Sequence, residues 1–231
     1  MNLAGKRVLI TGGAVRIGAA LAEGFASSGS KVVIHYRRSA EDAERLLAVL
    51  PGEGHSAVYA DLSGAEDAAG LLNRAGGRVD ILVNNASWYG KPGEENALCR
   101  QVNVLSPCIL TESFARQTGL REGAVLNVLD GAALRQNPAS DSYTASRREL
   151  AERTLEYALR FAPEIRVNAL APGPVLPPVW MPESRMEKVS ANLPLKRKVV
   201  LAELVEAALF LCRADSVTGV LLPVDSGLHL C

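Results

Sequence analysis

Three residues in the second half of the chain could together form a site for proton transfer, and the spacing of two of them brings their side chains together. Tyr143 and Arg147 both lie in "SYTASRREL", a stretch that predicts a helix, and residues four apart share one helix face. A phenol has an ordinary pKa of about 10, so a neighbouring cation helps it to act near neutral pH. Asp130 ends a predicted strand thirteen residues before the tyrosine. The set therefore offers a proton donor, a cation and a carboxylate.

A glycine-rich turn, "TGGAVRIG", follows the first predicted strand and opens the first predicted helix. Gly12, Gly13 and Gly18 permit a tight turn and the close approach of a ligand to the backbone. The helix behind them offers unpaired N–H groups, which suit a pyrophosphate. Glycines in such a turn can be purely structural, but their position between a strand and a helix favours a dinucleotide site.

The second predicted strand ends in "HYRRSAED", at the place where dinucleotide-binding proteins distinguish their two common cofactors. An acidic residue there would bind the ribose hydroxyls of NAD, whereas an arginine accommodates the 2′-phosphate of NADP. Arg37 and Arg38 are followed by Ser39, and Arg16 adds a further guanidinium from the glycine turn. Two cations at a helix start oppose the helix dipole, which favours a bound anion. The sequence therefore predicts NADPH rather than NADH.

Polar and aromatic residues follow the third and fourth predicted strands. Asp61 in "ADLS" is expected beside the adenine, and "NNAS" (84–87) is expected to border the cofactor, although both could simply be turn residues. Trp88 and Tyr89 come next, in a loop flanked by glycine and proline. Aromatic residues usually fill a core, but two consecutive rings in such a loop cannot easily both face one.

Short β-branched runs alternate with helical patterns along the whole chain, which indicates parallel strands joined by crossover helices. The runs are almost continuously apolar, as expected for strands covered on both faces. We therefore predict an α/β fold, a doubly wound parallel sheet that forms a single domain over 1–231. The proline-rich stretch 174–198 is expected to be irregular and to form a substrate lid. The predicted strands are 6–11, 31–36, 56–61, 79–86, 123–130, 165–172 and 218–225, and the predicted helices are 16–29, 39–50, 63–75, 94–117, 141–162 and 201–212.

The composition argues against several classes of function. Hydrophobic residues make up 48% and charged residues 22% of the 231 residues, which suits a large core and argues against disorder. Lys and Arg (25) balance Asp and Glu (25), so no basic excess suggests a nucleic acid or an anionic membrane. No apolar run is long enough to span a membrane and no cleavable leader is visible, so a cytoplasmic location is expected. The four cysteines and three histidines lack metal-ligand spacing, so we expect reduced thiols and no metal site.

Taken together, these motifs resemble the short-chain dehydrogenase/reductase family over essentially the whole chain. The motifs are the glycine turn, "ADLS", "NNAS", "VNV", Tyr143, "RVNALAPGP" and the terminal "VTGVLLPVDSG", in that order. Arg16, "HYRRSA", Asp130, "APGPVLPP" and "VDSGLHL" narrow the resemblance to pteridine reductases and bacterial dihydromonapterin reductases. The resemblance implies a Rossmann-type parallel sheet of seven strands with helices on both faces. It also implies a homotetramer that uses NADPH to reduce a dihydropterin or dihydrofolate ring.

The resemblance further implies a role for each chemical residue. Tyr143 would supply the proton, and Asp130 would orient the tyrosine by a hydrogen bond, unless Asp130 is only a strand-end aspartate that caps a turn. Asn103 would anchor a water in the proton path, unless it is only a polar residue inside a helix. Arg147 departs from the family, which has a lysine that lowers the tyrosine pKa and holds the nicotinamide ribose; arginine keeps the charge but has no proton to give up. If Arg147 and Arg148 are ordinary surface arginines, the protein is instead a catalytically silent NADP(H)-binding sensor.

On the substrate side, the resemblance implies that an aromatic ring stacks a pterin against the nicotinamide. Counting along the motif gives this role to Tyr89, and a shift of one residue gives it to Trp88. The remaining alternative is a general short-chain carbonyl reductase acting on 3-oxoacyl thioesters, which Asp130 and the two rings argue against. The predicted substrate-binding residues are Ser87, Trp88, Tyr89, Asp130, Tyr143 and Trp180. The predicted cofactor-binding residues are Gly12, Arg16, Ile17, Gly18, His35, Tyr36, Arg37, Arg38, Ser39, Asp61, Leu62, Asn85, Ala86, Ser87, Tyr143, Arg147, Pro172, Gly173 and Val175.

Overall fold

The strands of this protein all run parallel in one sheet. A computed structural model describes residues 1–89, 96–177 and 183–231, and within these ranges seven strands are present. They are β1 (Arg7–Ile10), β2 (Lys31–Tyr36), β3 (Ser56–Tyr59), β4 (Ile81–Asn84), β5 (Gly123–Val128), β6 (Ile165–Pro172) and β7 (Leu221–Val224). Their order in the sheet is β3-β2-β1-β4-β5-β6-β7. The parallel α/β sheet predicted from the sequence is confirmed.

Helices cover both faces of the sheet. They are α1 (Arg16–Ser27), α2 (Ala40–Leu47), α3 (Ala65–Arg74), α4 (Asn96–Arg100), α5 (Ser106–Ala115), α6 (Ser142–Arg160), α7 (Glu183–Ala191) and α8 (Leu201–Arg213), with shorter turns at Gln101–Leu105 (π-helical), Gly131–Leu134 and Leu228–Leu230 (both 3₁₀). One core packs α1 and α8 on the sheet through side chains such as Phe25 and Leu204. The other packs α3, α5 and α6 through Leu71, Phe114 and Tyr157. Apolar residues on alternate sides of each strand supply both cores.

The sheet order places a crevice beside β1. Ile10 pairs with Ile34 of β2 on one side and with Val83 of β4 on the other. The chain passes from β3 at one edge back to β4 at the centre, so the loops after β1 and β4 leave in opposite directions. In open α/β sheets a ligand binds in the crevice outside the carboxyl ends of the strands at such a switch point. The loops after β1, β2 and β4 therefore meet at one edge.

The helix predicted over 94–117 is interrupted in the described part of that range. A π-helical turn at Gln101–Leu105 separates α4 from α5. Pro107 follows it, in the first turn of α5. Proline has no N–H to donate to the carbonyl four residues earlier, so the regular ladder is broken here. Single π-helical turns are frequent at functional sites, and this one contains Asn103.

Two smaller features differ from the sequence-based expectations. The sequence predicts a helix over 63–75, but α3 begins at Ala65 and Gly64 occupies its N-cap position. The backbone N–H and the hydroxyl of Ser63 instead donate to the Asp61 carboxylate at 2.9 and 2.7 Å. The stretch predicted as irregular contains the nine-residue helix α7. No proline lies between Pro182 and Pro194, so a short helix is compatible with this sequence.

Candidate active site

A cavity of about 800 Å³ opens at the carboxyl edge of the sheet, around the loops after β1, β2 and β4. Its volume lies within the range of about 300–1,000 Å³ that is typical of small-molecule sites. The predicted cofactor- and substrate-binding residues line it with two exceptions: Asp61 lies outside the cavity wall, and Trp180 lies outside the described residues. The predicted catalytic residue Asn103 also lies outside the cavity wall. Most of the residues that the sequence predicts as binding residues therefore lie together around one cavity.

Two glycines give the turn after β1 its shape. Gly12 has φ +61°, and a Cβ on Gly18 would lie 2.1 Å from the Gly12 carbonyl oxygen, so only glycine lets α1 approach so closely. The Asn85 amide donates to the carbonyls of Thr11 (2.9 Å) and Gly12 (3.1 Å). The Thr11 hydroxyl oxygen accepts the backbone N–H groups of Asn85 and Ala86, both at 2.9 Å. The glycine turn and the loop after β4 thus form one rigid unit.

His35 supports the same turn from below. Its Nδ1 accepts the Gly12 N–H at 3.1 Å, and its Nε2 donates to the Ala60 carbonyl at 3.1 Å. This pattern requires a neutral ring with its proton on Nε2. Burial lowers the pKa of His35 to about 4, against the smaller opposing effect of the bond to Ala60. His35, predicted to bind the cofactor, lines the cavity and also positions the backbone that a cofactor would meet.

The arginines after β2 lie where the phosphate site was predicted. Arg37 Nη1 is 3.5 Å from Asp61 Oδ1, and Arg38 is exposed. Burial raises the pKa of Asp61, but the Ser63 hydrogen bonds and the two guanidinium groups outweigh it, so the pKa stays below its usual range. Asp61 thus acts as a counter-ion behind Arg37.

Arg16 has a partner that the sequence did not indicate. Its Nη2 donates to the carbonyls of Leu176 (3.3 Å) and Pro177 (3.0 Å), in the loop after β6. Its backbone has φ +56°, in the left-handed region that non-glycine residues rarely adopt. The exposed guanidinium therefore ties the glycine turn to the proline-rich loop and leaves Arg37 and Arg38 as the arginines of the predicted phosphate site.

Tyr143 and Asp130 meet at the other end of the cavity. The Tyr143 hydroxyl donates to Asp130 Oδ2 at 3.3 Å, and the Ala132 N–H donates to Asp130 Oδ1 at 2.8 Å. Burial raises the pKa of Asp130, although the Ala132 hydrogen bond and the Arg147 charge lower it. Burial also raises the pKa of Tyr143; Arg147 opposes this effect and the Asp130 charge adds to it. The phenol therefore keeps its proton at neutral pH.

Arg147 is a buried residue rather than a surface arginine. Only 1% of it is exposed, whereas its neighbour Arg148 is exposed. Its guanidinium carbon lies 5.2 Å from the centre of the Tyr143 ring, and its Nη1 donates to the Val128 carbonyl at 3.1 Å. Its Nε–H is buried and has no hydrogen-bond partner among the described residues. A buried N–H of this kind is costly unless something binds it, so its position in the cavity wall points to a ligand.

Asn103 clamps the loop that carries the aromatic residues. Its Oδ1 accepts the Trp88 N–H at 2.7 Å, and its Nδ2 donates to the Trp88 carbonyl at 2.9 Å. The same Nδ2 donates to the Ser146 hydroxyl at 3.0 Å, and that hydroxyl donates to the Tyr143 carbonyl at 2.6 Å. Asn103 is completely buried. It therefore connects the loop after β4 to the first turn of α6.

The two consecutive rings point in different directions. The Tyr89 ring packs edge-on against Tyr143, with 4.8 Å between the ring centroids, and 66% of the residue is exposed. The Trp88 ring centroid lies 5.9 Å from the guanidinium carbon of Arg37. Both residues were predicted at the substrate end, with Tyr89 favoured. The structure places the Tyr89 ring beside Tyr143 and the Trp88 ring beside Arg37.

Several cavity residues were not foreseen from the sequence. Met186 and Val189 on α7 line the cavity, together with Leu228 from the turn after β7 and Val102 before Asn103. The spacing of Met186 and Val189 places them on one face of a helix, a signal that the surrounding prolines obscured. These four residues add apolar surface to the cavity wall.

Neither a membrane span nor a metal site emerges from the described ranges. No described helix is long and apolar enough to cross a membrane. No group of three or more His, Cys, Asp or Glu side chains in those ranges could hold a metal ion.

The sequence and the fold of this chain are similar to those of known reductases. A family model described as enoyl-(acyl carrier protein) reductase matches residues 13–229. A protein of granaticin polyketide synthase from Streptomyces violaceoruber, described as ketoacyl reductase 2, is 34% identical over 240 residues, which cover 96% of this chain and 95% of its own. Pteridine reductase 1 from Leishmania tarentolae is 29% identical over an alignment of 276 positions, gaps included, which covers 96% of each chain. The crystal structure of FolM alternative dihydrofolate reductase 1 from Brucella canis, complexed with NADP, matches with a TM-score of 0.92 and 35% identity, over 100% of this chain and 96% of that chain.

The parallel sheet, the glycine turn at its switch point and the tyrosine in the same cavity define a nucleotide-dependent oxidoreductase of the Rossmann type. The chain belongs to the short-chain dehydrogenase/reductase family. Among its relatives, the pteridine and dihydrofolate reductases agree with the narrower resemblance seen in the sequence. The NADP in the Brucella structure supports the predicted class of cofactor.

Proposed function

We propose that this protein is an NADPH-dependent reductase of the cytoplasm that acts on a dihydropterin or dihydrofolate-type ring. The observation that carries the proposal is the arrangement of three side chains in one cavity. Asp130 accepts the Tyr143 hydroxyl at 3.3 Å, and the Tyr89 ring lies 4.8 Å from the Tyr143 ring. The largely exposed Tyr89 ring can cover a planar heterocycle, which gains about 0.5–1.5 kcal/mol from such stacking.

The residues present fit NADPH. The glycine turn and the start of α1 would hold the pyrophosphate, because helix N-termini bind anions. Arg37 and Arg38 would hold the 2′-phosphate, since guanidinium groups form charge-assisted hydrogen bonds to phosphate oxygens. The unpartnered Nε–H of Arg147 would donate to a hydroxyl of the nicotinamide ribose. Bound NADPH supplies a hydride to the substrate carbon.

Tyr143 would supply the proton that accompanies reduction. Burial raises its pKa, so it stays protonated and able to donate at neutral pH. Asp130 would hold the hydroxyl in a fixed direction through its hydrogen bond. Arg147 would stabilise the phenolate that remains after proton transfer, because its charge lies within 5.2 Å of the ring. We assign Asn103 a positioning role, since its amide holds the backbone of Trp88 on one side and Ser146 on the other.

The burial of Arg147 favours an active enzyme over a silent sensor. A surface arginine at this position would leave Tyr143 without a cation, but the guanidinium lies beneath the phenol and is held by the Val128 carbonyl. The second candidate function is reduction of a 3-oxoacyl thioester. The Streptomyces relative described as a ketoacyl reductase favours it, whereas the carboxylate of Asp130 beside the proton donor favours the pteridine reaction.

The decisive experiment follows NADPH oxidation with dihydrobiopterin, dihydrofolate and acetoacetyl thioester as separate substrates. We expect turnover with one or both pteridine compounds and little with the thioester. Tyr143→Phe should lower turnover by about 10²–10⁴-fold, the typical contribution of a general acid, while leaving NADPH binding intact. NADPH binding without turnover of any of the three compounds would instead support the sensor, and turnover of the thioester alone would support the ketoacyl reductase.

We also propose that the chain assembles as a homotetramer. Leu155 and Leu159 on α6 and Phe210 on α8 are 44%, 84% and 54% exposed, and these side chains offer apolar surface for contacts between subunits. Light scattering coupled to size-exclusion chromatography measures the mass directly. A mass near that of one 24.5 kDa chain would refute the assembly.

A further inference from the structure

We infer that Trp88 determines the preference for the 2′-phosphate of the cofactor and acts through Arg37. This inference rests on the proposed function, because it assumes that the cavity binds NADPH. It assigns Trp88 to the adenosine end of the cavity and leaves the substrate end to Tyr89. Trp88 would therefore be a specificity-determining residue for the cofactor, not a substrate-stacking residue.

The first observation is the contact between the two side chains. The Arg37 guanidinium carbon lies 5.9 Å from the centroid of the Trp88 ring, within the distance of a cation–π interaction, and both residues line the cavity. The side chain of Arg37 is only 27% exposed. An indole against a guanidinium excludes water from one side of it and restricts the directions in which its N–H groups point. Both effects strengthen the attraction of the guanidinium for a phosphate.

The second observation is the carboxylate that competes for the same arginine. Asp61 Oδ1 lies 3.5 Å from Arg37 Nη1, and the Asp61 carboxylate is fixed by two hydrogen bonds from Ser63. Without a further restraint, Arg37 could turn fully onto Asp61 and become unavailable to a ligand. The long distance to Asp61 and the ring contact show that Arg37 is shared between the two groups. The indole would thus keep part of the guanidinium directed into the cavity.

The third observation is the rigidity of the Trp88 backbone. Its N–H and its carbonyl are both bound by the fully buried amide of Asn103. A residue whose backbone is clamped on both sides presents its side chain in a defined direction. Consecutive residues in an extended loop point to opposite sides, so the clamp that directs the Trp88 ring toward Arg37 also directs the Tyr89 ring toward Tyr143. The buried Asn103 amide therefore determines the directions of both the Trp88 ring and the Tyr89 ring.

Equilibrium binding of NADPH and NADH to Trp88→Ala and Trp88→Phe tests the inference. The alanine variant should bind NADPH about three- to tenfold more weakly and NADH within about twofold of the wild-type affinity, as expected for loss of a cation–π contact. The phenylalanine variant, which keeps a ring, should lie between wild type and alanine. Tyr89→Ala is the matched control, because it removes the adjacent ring and should leave the NADPH-to-NADH ratio unchanged.

A double-mutant cycle shows whether Trp88 acts through Arg37. In an Arg37→Ala background, Trp88→Ala should have no further effect on NADPH binding. An equal loss of NADPH and NADH affinity in Trp88→Ala, or an unchanged loss in the Arg37→Ala background, would overturn the inference while leaving the proposed reductase intact. If the wild-type protein bound neither nucleotide, both the inference and the proposed function would be refuted.

A spectroscopic readout is independent of turnover. Trp88 and Trp180 are the two tryptophans of the chain, so the Trp180→Phe variant reports on Trp88 alone. We expect 2′,5′-ADP to change the fluorescence of this variant and 5′-AMP to have a much smaller effect, because the two compounds differ only in the 2′-phosphate. Equal responses to both compounds would show that the indole senses the adenine rather than the phosphate, which contradicts the assigned role.

Discussion

His35, which supports the glycine turn, should make the free energy of unfolding depend on pH. The ring is neutral in the folded protein because burial lowers its pKa from 6.5 to about 4. Between these values the unfolded chain binds a proton that the folded protein does not, so the folded state loses stability as the pH falls through this window. The difference between the two pKa values corresponds to about 3 kcal/mol of the free energy of unfolding. The folded protein loses this contribution completely below pH 4. Protonation would also place a second N–H of the ring against the Gly12 N–H, which Nδ1 now accepts.

The perturbation that isolates this effect is His35→Gln, because glutamine has both an acceptor and a donor but does not titrate. Urea unfolding followed by circular dichroism, at fixed protein concentration and at pH values from 7 to 4, gives the free energy of unfolding for each protein. The variant should be less stable than wild type at pH 7. Between pH 7 and pH 4 its free energy of unfolding relative to that of wild type should rise by about 3 kcal/mol. Other titrating groups are common to both proteins and cancel in the comparison. Parallel pH profiles for the two proteins would refute the assignment of a buried neutral ring.

Three further outcomes are expected. Arg147→Lys should retain or raise turnover, whereas Arg147→Met should lower it at least about tenfold because the phenolate loses its cation. The control Arg148→Ala, at the exposed neighbouring position, should behave as wild type. Equal turnover in all three variants would exclude the mechanism. Asp130→Asn should lower turnover about tenfold or more through loss of a charged acceptor. It should also raise the thermal unfolding midpoint at pH 7, because a carboxyl whose pKa is raised by burial destabilises the fold when ionised; this gain should vanish below about pH 4. Arg38→Ala should weaken NADPH about tenfold and NADH hardly at all, and equal losses measured by calorimetry would show that the phosphate site is misassigned.

The parts of this molecule that follow local rules were predictable from the sequence. The alternation of strand and helix patterns predicted the parallel sheet, and the four-residue spacing of Tyr143 and Arg147 predicted their contact. The direction of Trp88 was not predictable, because it depends on a clamp by Asn103 fifteen residues away. The partner of Arg16 is still more distant, since Leu176 and the glycine turn meet only when the sheet is assembled. Pairwise spacing identifies neighbours on one element, and it gives no information about contacts between loops from different strands.

Replacement of the family lysine by Arg147 changes which groups can carry the proton. A lysine ammonium can release a proton, but a guanidinium remains charged throughout the working pH range. The Arg147 guanidinium is also held by the Val128 carbonyl beneath the phenol, so it contributes a fixed positive charge. In the proposed reaction the proton must therefore reach Tyr143 by a route that does not include residue 147. Asp130 is the titratable group that accepts the Tyr143 hydroxyl, and its own pKa is raised by burial. Only the ionised carboxylate is the charged acceptor that holds the Tyr143 hydroxyl, so turnover should fall as the pH drops through the pKa of Asp130. This acid limb of the pH–rate profile should disappear in Asp130→Asn but persist in Arg147→Lys.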